Sequence, residues 1–305
     1  MVGVLIGFGI IAFVIGVGYV AGRLQIGGPQ AGNVLNRVAF FITNPALLFT
    51  VLAHADVHAV FSRSVVIAAV GAVATAALFV VASRWLFRMT VAETVLGAMG
   101  AGYVNANNIG LPVAVYVLGN ASYVAPILLL QLIVFSPVVL VTLDIATSGS
   151  ASLRSILLQP VRNPMILASF AGLVVALTGW TLPEAVFQPF ELLGGAAVPL
   201  VLMAFGMSLH GARPLRDPDA LRPVLAAAVG KSVLMPVVSW ALALALGLHG
   251  HALFAAVALG ALPSAQNVFN MASRYRTGVV VARDTVLVTT VAAIPAMLVI
   301  AALFA

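Results

Sequence analysis

The chain has no cysteine in 305 residues. That excludes disulfide frameworks and cysteine metal sites, and leaves the redox compartment unmarked. Charge is almost as scarce: 7% of residues are charged, against about a quarter in a soluble domain. No Walker A sequence occurs, and no Gly-rich dinucleotide fingerprint in a strand–helix context, which argues against ATP-driven chemistry within this chain. Lysine occurs once, as Lys231. The net charge of +6 does not gather into a nucleic-acid-binding face. Its residues punctuate the ends of apolar stretches instead.

What is abundant is apolar: 63% of residues are hydrophobic. Such a chain cannot keep a water-facing surface, and its solvent is mostly lipid. At about 20 residues per span the length allows roughly ten spans. Apolar runs fall at 2–22, 36–53, 64–84, 92–118, 122–143, 163–179, 190–210, 223–247, 251–272 and 284–304. They are too long and too uniformly apolar for barrel strands, so the expected fold is all-α and integral to the membrane. Met1 to Val20 lacks a basic leader region and a small-residue cleavage site, and reads as a retained first helix.

Twelve of the fourteen basic residues lie on one side of this arrangement: Arg23, Arg37, Arg84, Arg88, Arg154, Arg162, Arg213, Arg216, Arg222, Arg274, Arg276 and Arg283. Arg63 alone lies opposite. By the positive-inside rule the odd-numbered spans run inward and both termini are extracytoplasmic. Ten spans divide into five and five, with a boundary at 150/151, and an odd number per half forces the halves into opposite orientations. Pro45 follows Arg37 by eight residues in span 2, and Pro199 follows Glu191 by eight in span 7.

Spans 4 and 9 are the two polar, proline-interrupted segments. They read Asn105-Ala-Asn-Asn-Ile-Gly-Leu-Pro112 and Leu262-Pro-Ser-Ala-Gln-Asn267. Their middles fall near residues 104 and 263, at about the bilayer centre by helix rise. Pro112 and Pro263 free backbone groups, and Gly110 adds flexibility. In hydrocarbon, freed groups must be met by protein, water or ligand. Two crossing breaks present half-helix N-termini suited to a carboxylate. Asn105, Asn107, Asn108, Gln266 and Asn267 add neutral donors and acceptors. Mid-span amides can also serve only as glue between helices, but five beside two prolines in paired spans favour a substrate site.

Lys231 lies about 13 Å into span 8 by helix rise. It either faces a cavity, in an anion-attracting or coupling role, or snorkels to the cytoplasmic interface. No carboxylate falls at mid-depth. Glu93, Asp144 and Asp284 sit near cytoplasmic span ends, and Asp56, Glu184 and Glu191 near external ones, where solvation is expected; Asp217 and Asp219 fall in a cytoplasmic loop. His54 and His58 are spaced i, i+4, and His249 and His251 also lie near external loops, with His210 as the fifth histidine; without further ligands no metal site is assigned. Gly3/Gly7 and Gly18/Gly22 in span 1 are close-packing signals.

The span motifs resemble those of the auxin efflux carrier family, which includes the plant PIN carriers and malonate transporter-like proteins. The resemblance covers essentially the whole chain. Its residues are Leu35-Asn-Arg with Asn44-Pro-Ala-Leu-Leu-Phe49, Asn105 with Gly110-Leu-Pro112, Arg162-Asn-Pro164, Ala197-Val-Pro-Leu with Gly206-Met-Ser-Leu209, Lys231 with Pro236, and Ala261 to Phe269 with Ala272-Ser-Arg-Tyr275. It implies two inverted five-helix repeats, 1–150 and 151–305. Spans 1, 2, 6 and 7 would form a scaffold and spans 3–5 and 8–10 a transport domain, with broken helices 4 and 9 crossing at their prolines. It further implies elevator movement, a homodimer, the bacterial inner membrane and a substrate carboxylate contacted by Asn105. Asn163, in the matching Arg-Asn-Pro, joins Lys231 as a candidate for an anion or coupling role. The loop from Asp144 to Asn163 is only about twenty residues, so the regulatory loop of the plant carriers is not expected. Gln266 and Asn267 replace apolar residues of the plant pattern, which suggests a more polar ligand.

The reading is therefore a secondary transporter of small organic anions: mono- or dicarboxylates, or auxin-like acids. No cofactor is expected. Coupling to H⁺ or Na⁺ stays open, and no nucleic-acid partner is expected. The alternative is a non-transporting membrane sensor or binding protein on the same fold. No constellation at shared depth supports an enzyme, and two local breaks do not make a channel's continuous lining. In this cysteine-free chain the orientation is directly testable. Thr181→Cys should react with a membrane-impermeant maleimide added outside intact cells, and Ser150→Cys should react only after lysis.

Overall fold

The structure, a computed structural model, describes residues 2–54, 63–148, 163–210 and 215–304. Among these it is helical, without a strand. The helices are α1 (Val2–Arg23), α2 (Ala31–Ala53), α3 (Arg63–Leu86), α4 (Val91–Gly102), α5 (Leu111–Tyr116), α6 (Ala121–Thr147), α7 (Pro164–Thr178), α8 (Glu184–Leu209), α9 (Pro218–Ala245), α10 (Gly250–Gly260), α11 (Gln266–Tyr275) and α12 (Val279–Phe304). Six of them, α2, α3, α6, α8, α9 and α12, are long and apolar enough to cross a membrane. The chain is a multi-pass membrane protein. The expected division at 150/151 lies outside the described residues, as do His58, Asp56, Arg154, Arg162 and Arg213.

Helix ends follow local chemistry. Thr90 and Glu93 form a capping box at α4: the Glu93 amide donates to Thr90 Oγ1 (3.3 Å) and the Thr90 amide to Glu93 Oε2 (2.9 Å). Glu93 is thus held at a helix N-terminus, where its charge is favoured. Asn163 caps α7 by accepting from the Met165 amide (2.9 Å), with Pro164 opening the helix. Asp217 does the same for α9 ahead of Pro218. Gly179 closes α7 in the left-handed region, at φ 64°. α8 begins six residues earlier than its apolar run, because Glu184 and Gln188 pair along its first turns (2.8 Å).

Four helical stretches widen into π turns: Ala39–Thr43 in α2, Ala106–Gly110 before α5, Gln131–Phe135 in α6 and Gly230–Leu234 in α9. Each ends two residues before a proline, namely Pro45, Pro112, Pro137 and Pro236. A proline has no N–H to give and crowds the carbonyl four residues earlier. Widening the preceding turn relieves that clash and leaves carbonyl oxygens open to other partners.

Polarity is inverted relative to a soluble domain. Phe13, Leu192, Val291 and Leu303 are exposed, while Asn44, Lys231, Ser264, Asp284 and Thr289 are fully buried. The solvation expected of Asp284 does not hold. It is enclosed at the start of α12, accepting from the Leu215 amide (2.8 Å) and Arg283 Nε (2.7 Å). Those two donors supply what water would otherwise give. Asp144, at the end of α6, accepts from the Tyr275 hydroxyl at the end of α11 (2.6 Å).

Close packing at glycine ties α1 to α8 and α2 to α7 and α8. A side chain at Gly206 would meet the Ile15 carbonyl, with the Tyr19 amide at 2.7 Å. One at Gly172 would sit 2.6 Å from the Phe49 carbonyl, and one at Gly194 would sit 2.9 Å from Leu47 Cα. These are backbone atoms and cannot give way. Gly206→Val should therefore destabilise by about 1–3 kcal/mol or more, read as a lower thermal midpoint of the purified protein. Gly195→Val, at a glycine with open space around it, should change it far less.

Candidate functional site

The helix of span 4 stops at Gly102 and that of span 9 at Gly260, and the chain between each pair of half-helices is extended. The two extended pieces lie antiparallel and pair. The Asn105 amide donates to the Pro263 carbonyl (2.7 Å) and the Ala265 amide to the Tyr103 carbonyl (3.0 Å). Two helices that could not continue have thus exchanged the hydrogen bonds each lost, well away from water.

The four half-helix ends at this crossing are treated differently. At the C-terminus of α4, Ser264 Oγ donates to the Gly100 carbonyl. The Ser264 amide is itself taken by Thr289 Oγ1 (3.1 Å) from α12. At the C-terminus of α10, Lys231 Nζ donates to the Gly260 carbonyl (2.7 Å) and contacts Met235 Sδ at 3.1 Å. Lys231 is fully buried, so the snorkelling alternative does not hold. Its π turn swings the amino group onto the carbonyl end of a half-helix.

The N-terminal ends are less complete. Before α5, the Asn105 carbonyl accepts from the Gly110 amide (2.8 Å), and Asn105 Oδ1 accepts from the Asn108 amide (3.0 Å). α11 begins at Gln266 after Ala265, which has no side chain to cap it. First-turn amides have no acceptor within their own helix. At α11 the Val268 amide turns back to the Ala265 carbonyl (3.1 Å), which leaves those of Gln266 and Asn267 toward the space beyond.

That space is a cavity of about 40 Å³, room for roughly three waters. It is lined by Asn105, Asn107, Asn108, Gln266 and Asn267, together with Gln131 and apolar residues including Phe40 and Met165. All five amides singled out in the sequence are thus gathered. Pro112 and Pro263 do not line the cavity. Pro112 opens α5 and Pro263 lends its carbonyl to the crossing, so both shape the site without facing it. Asn163 is the cap of α7, two residues before the lining Met165. Lys231 sits behind the crossing, beyond Gly260.

Three contributors were not singled out by sequence. Gln131 is buried and donates through Nε2 to the Val104 carbonyl (2.9 Å), bracing the extended piece from α6. Asn44, on α2, donates through Nδ2 to Asn107 Oδ1 (2.8 Å). The Tyr103 hydroxyl pairs with Ser136 Oγ (2.9 Å) beside the cavity. A readable signal existed for two of them: Gln131 and Asn44 are lone amides in apolar runs shortly before Pro137 and Pro45. Among the described residues no cluster of three metal-ligating side chains occurs. His54 instead pairs with the Thr50 carbonyl and His251 with the Tyr123 hydroxyl.

The family described as "Membrane transport protein" matches residues 8–152 and 146–301. The chain is 28% identical over 284 residues to a "Putative malonate transporter" of Rhizobium meliloti, covering 90% of this chain and 87% of that one. It is 27% identical over 198 residues to an "Uncharacterized transporter" of Methanothermobacter thermautotrophicus, covering 63% and 64%.

Ser264 serves both halves of the crossing, and its hydroxyl has a measurable share in holding them. Ser264→Ala leaves the Gly100 carbonyl buried and unpaired. A loss of about 1–3 kcal/mol is expected, seen as a reduced thermal midpoint with no ligand present.

Proposed function

The chain belongs to the membrane transport protein family, that of the auxin efflux carriers, and from that premise we propose that it is a secondary carrier of small organic anions, mono- or dicarboxylates. One observation carries this reading. A half-helix N-terminus without a side-chain cap and six side-chain amides line a single cavity at the crossing of two broken helices. The positive pole of a helix favours a carboxylate, and amides bind it without bringing a counter-charge. Among the described residues no carboxylate lines the cavity to compete.

The cavity's small volume favours a ligand of a few heavy atoms over an indole-sized acid. The printed name of the Rhizobium relative agrees with malonate as the first compound to test. The mechanism we propose is an elevator. The protein would have ten transmembrane helices in two inverted repeats. A scaffold of α1, α2, α7 and α8, tied by glycine contacts, would hold still. The remaining helices, joined through the crossing, would carry the cavity across the bilayer. A homodimer through the scaffold, the inner membrane and extracytoplasmic termini belong to the same proposal. Driving force need not come from a bound ion: one charge moved across 100 mV is worth about 2.3 kcal/mol.

Asn105 carries the test. Its backbone makes the crossing and its side chain shapes the turn entering α5. Asn105→Ala should abolish uptake of labelled malonate into proteoliposomes while the protein stays monodisperse in detergent. Transport at the wild-type rate would remove the site assignment. A screen of C2–C5 carboxylates by thermal shift, with and without Na⁺, should show stabilisation by at least one acid and none by its amide.

A further inference from the structure

Asn44 lies outside the two broken helices, on α2, and is completely buried. It nevertheless touches the site through one bond, from its Nδ2 to Asn107 Oδ1 (2.8 Å). Asn107 Nδ2 in turn donates to Asn108 Oδ1 (2.8 Å). Three amides therefore form a chain with one direction. Each passes an N–H to the carbonyl oxygen of the next, and the last, Asn108, lines the cavity with its oxygen already engaged. Its amide N–H groups remain to face the ligand.

The head of this chain is unusual. Among the described residues Asn44 Oδ1 is buried without a hydrogen-bond partner, as is the neighbouring Thr43 Oγ1. A buried acceptor without a donor is costly, and an apolar residue of the same size would avoid that cost. What the asparagine supplies in return is the N–H that starts the chain. An amide can face either way, and hydrogen bonds in series polarise one another. The residue at the head thus sets what the tail presents.

We propose that Asn44 is a positioning residue for substrate selectivity: by donating to Asn107 it fixes the direction of the Asn44–Asn107–Asn108 chain, so that the cavity shows donors and takes a carboxylate in preference to a neutral amide. Without that donor, Asn107 can turn and accept from Asn108. Asn108 then offers its oxygen to the cavity, which repels an anion and accepts from an amide. The inference rests on the anion-carrier reading and assigns its selectivity to a residue behind the cavity wall.

The test uses the full-length purified protein, with affinities measured by titration calorimetry for malonate and for its neutral isostere malonamide. Wild type should prefer malonate. Asn44→Leu should weaken malonate binding about tenfold and narrow the malonate-to-malonamide ratio at least fivefold, without lowering the thermal midpoint. Asn44→Ala, which cannot overpack the site, should narrow the ratio likewise and serves if the leucine variant does not fold. A ratio within twofold of wild type in a folded variant overturns this proposal alone. Wild-type protein that binds no small carboxylate overturns the carrier reading and this inference with it.

Discussion

Two backbone hydrogen bonds, Asn105 to Pro263 and Ala265 to Tyr103, hold the centre of this protein together. A helix that stops inside a bilayer leaves amides and carbonyls that lipid cannot satisfy. One broken helix alone would be prohibitively costly. Two that break at the same depth, in opposite directions, can pair their extended pieces antiparallel and recover much of the loss. Each break therefore requires the other. The remaining polar groups of the interior are arranged to finish what that pairing leaves undone: Ser264 at one helix end, Lys231 at another, and Gln131 and Thr289 behind the extended pieces.

The π turns extend the same logic beyond the crossing. A proline in a membrane helix disturbs one turn, and in four places the chain responds by widening that turn. Three of these turns bring Phe40, Asn107 with Asn108, and Gln131 to the cavity; the fourth carries Lys231. Proline thus acts at a distance of a few residues. It changes which carbonyls are free and which way a preceding side chain points, and does not itself meet a ligand. Pro112 and Pro263 show this directly, since neither lines the space that their breaks create.

This also marks what could be read from the sequence. The helices, most of their ends and the pairing of the two interrupted spans follow from apolar run length, capping residues and proline position, all of which are local. The five amides of the breaks were visible for the same reason. Lys231 was visible as a depth but not as a direction. Helix rise places it inside the membrane, yet nothing local says that its partner is a carbonyl 29 residues away. Asp284 failed similarly. Its enclosure depends on the Leu215 amide, 69 residues distant. Gln131 and Asn44 look like isolated polar residues until the fold brings their neighbours to them.

The placement of charge follows from these contacts. The Lys231 amino group is committed to the carbonyl end of α10. Glu93 sits at the start of α4, and Asp144 and Asp284 are each held by donors near a helix end. At the cavity there remain an N-terminal pole and neutral amides. On the carrier reading proposed above, a cation entering there would meet the wrong end of α11, whereas an anion would take the first-turn amides that Ala265 cannot cap. On that reading, selectivity for negative charge would arise with no cationic side chain lining the cavity among the described residues.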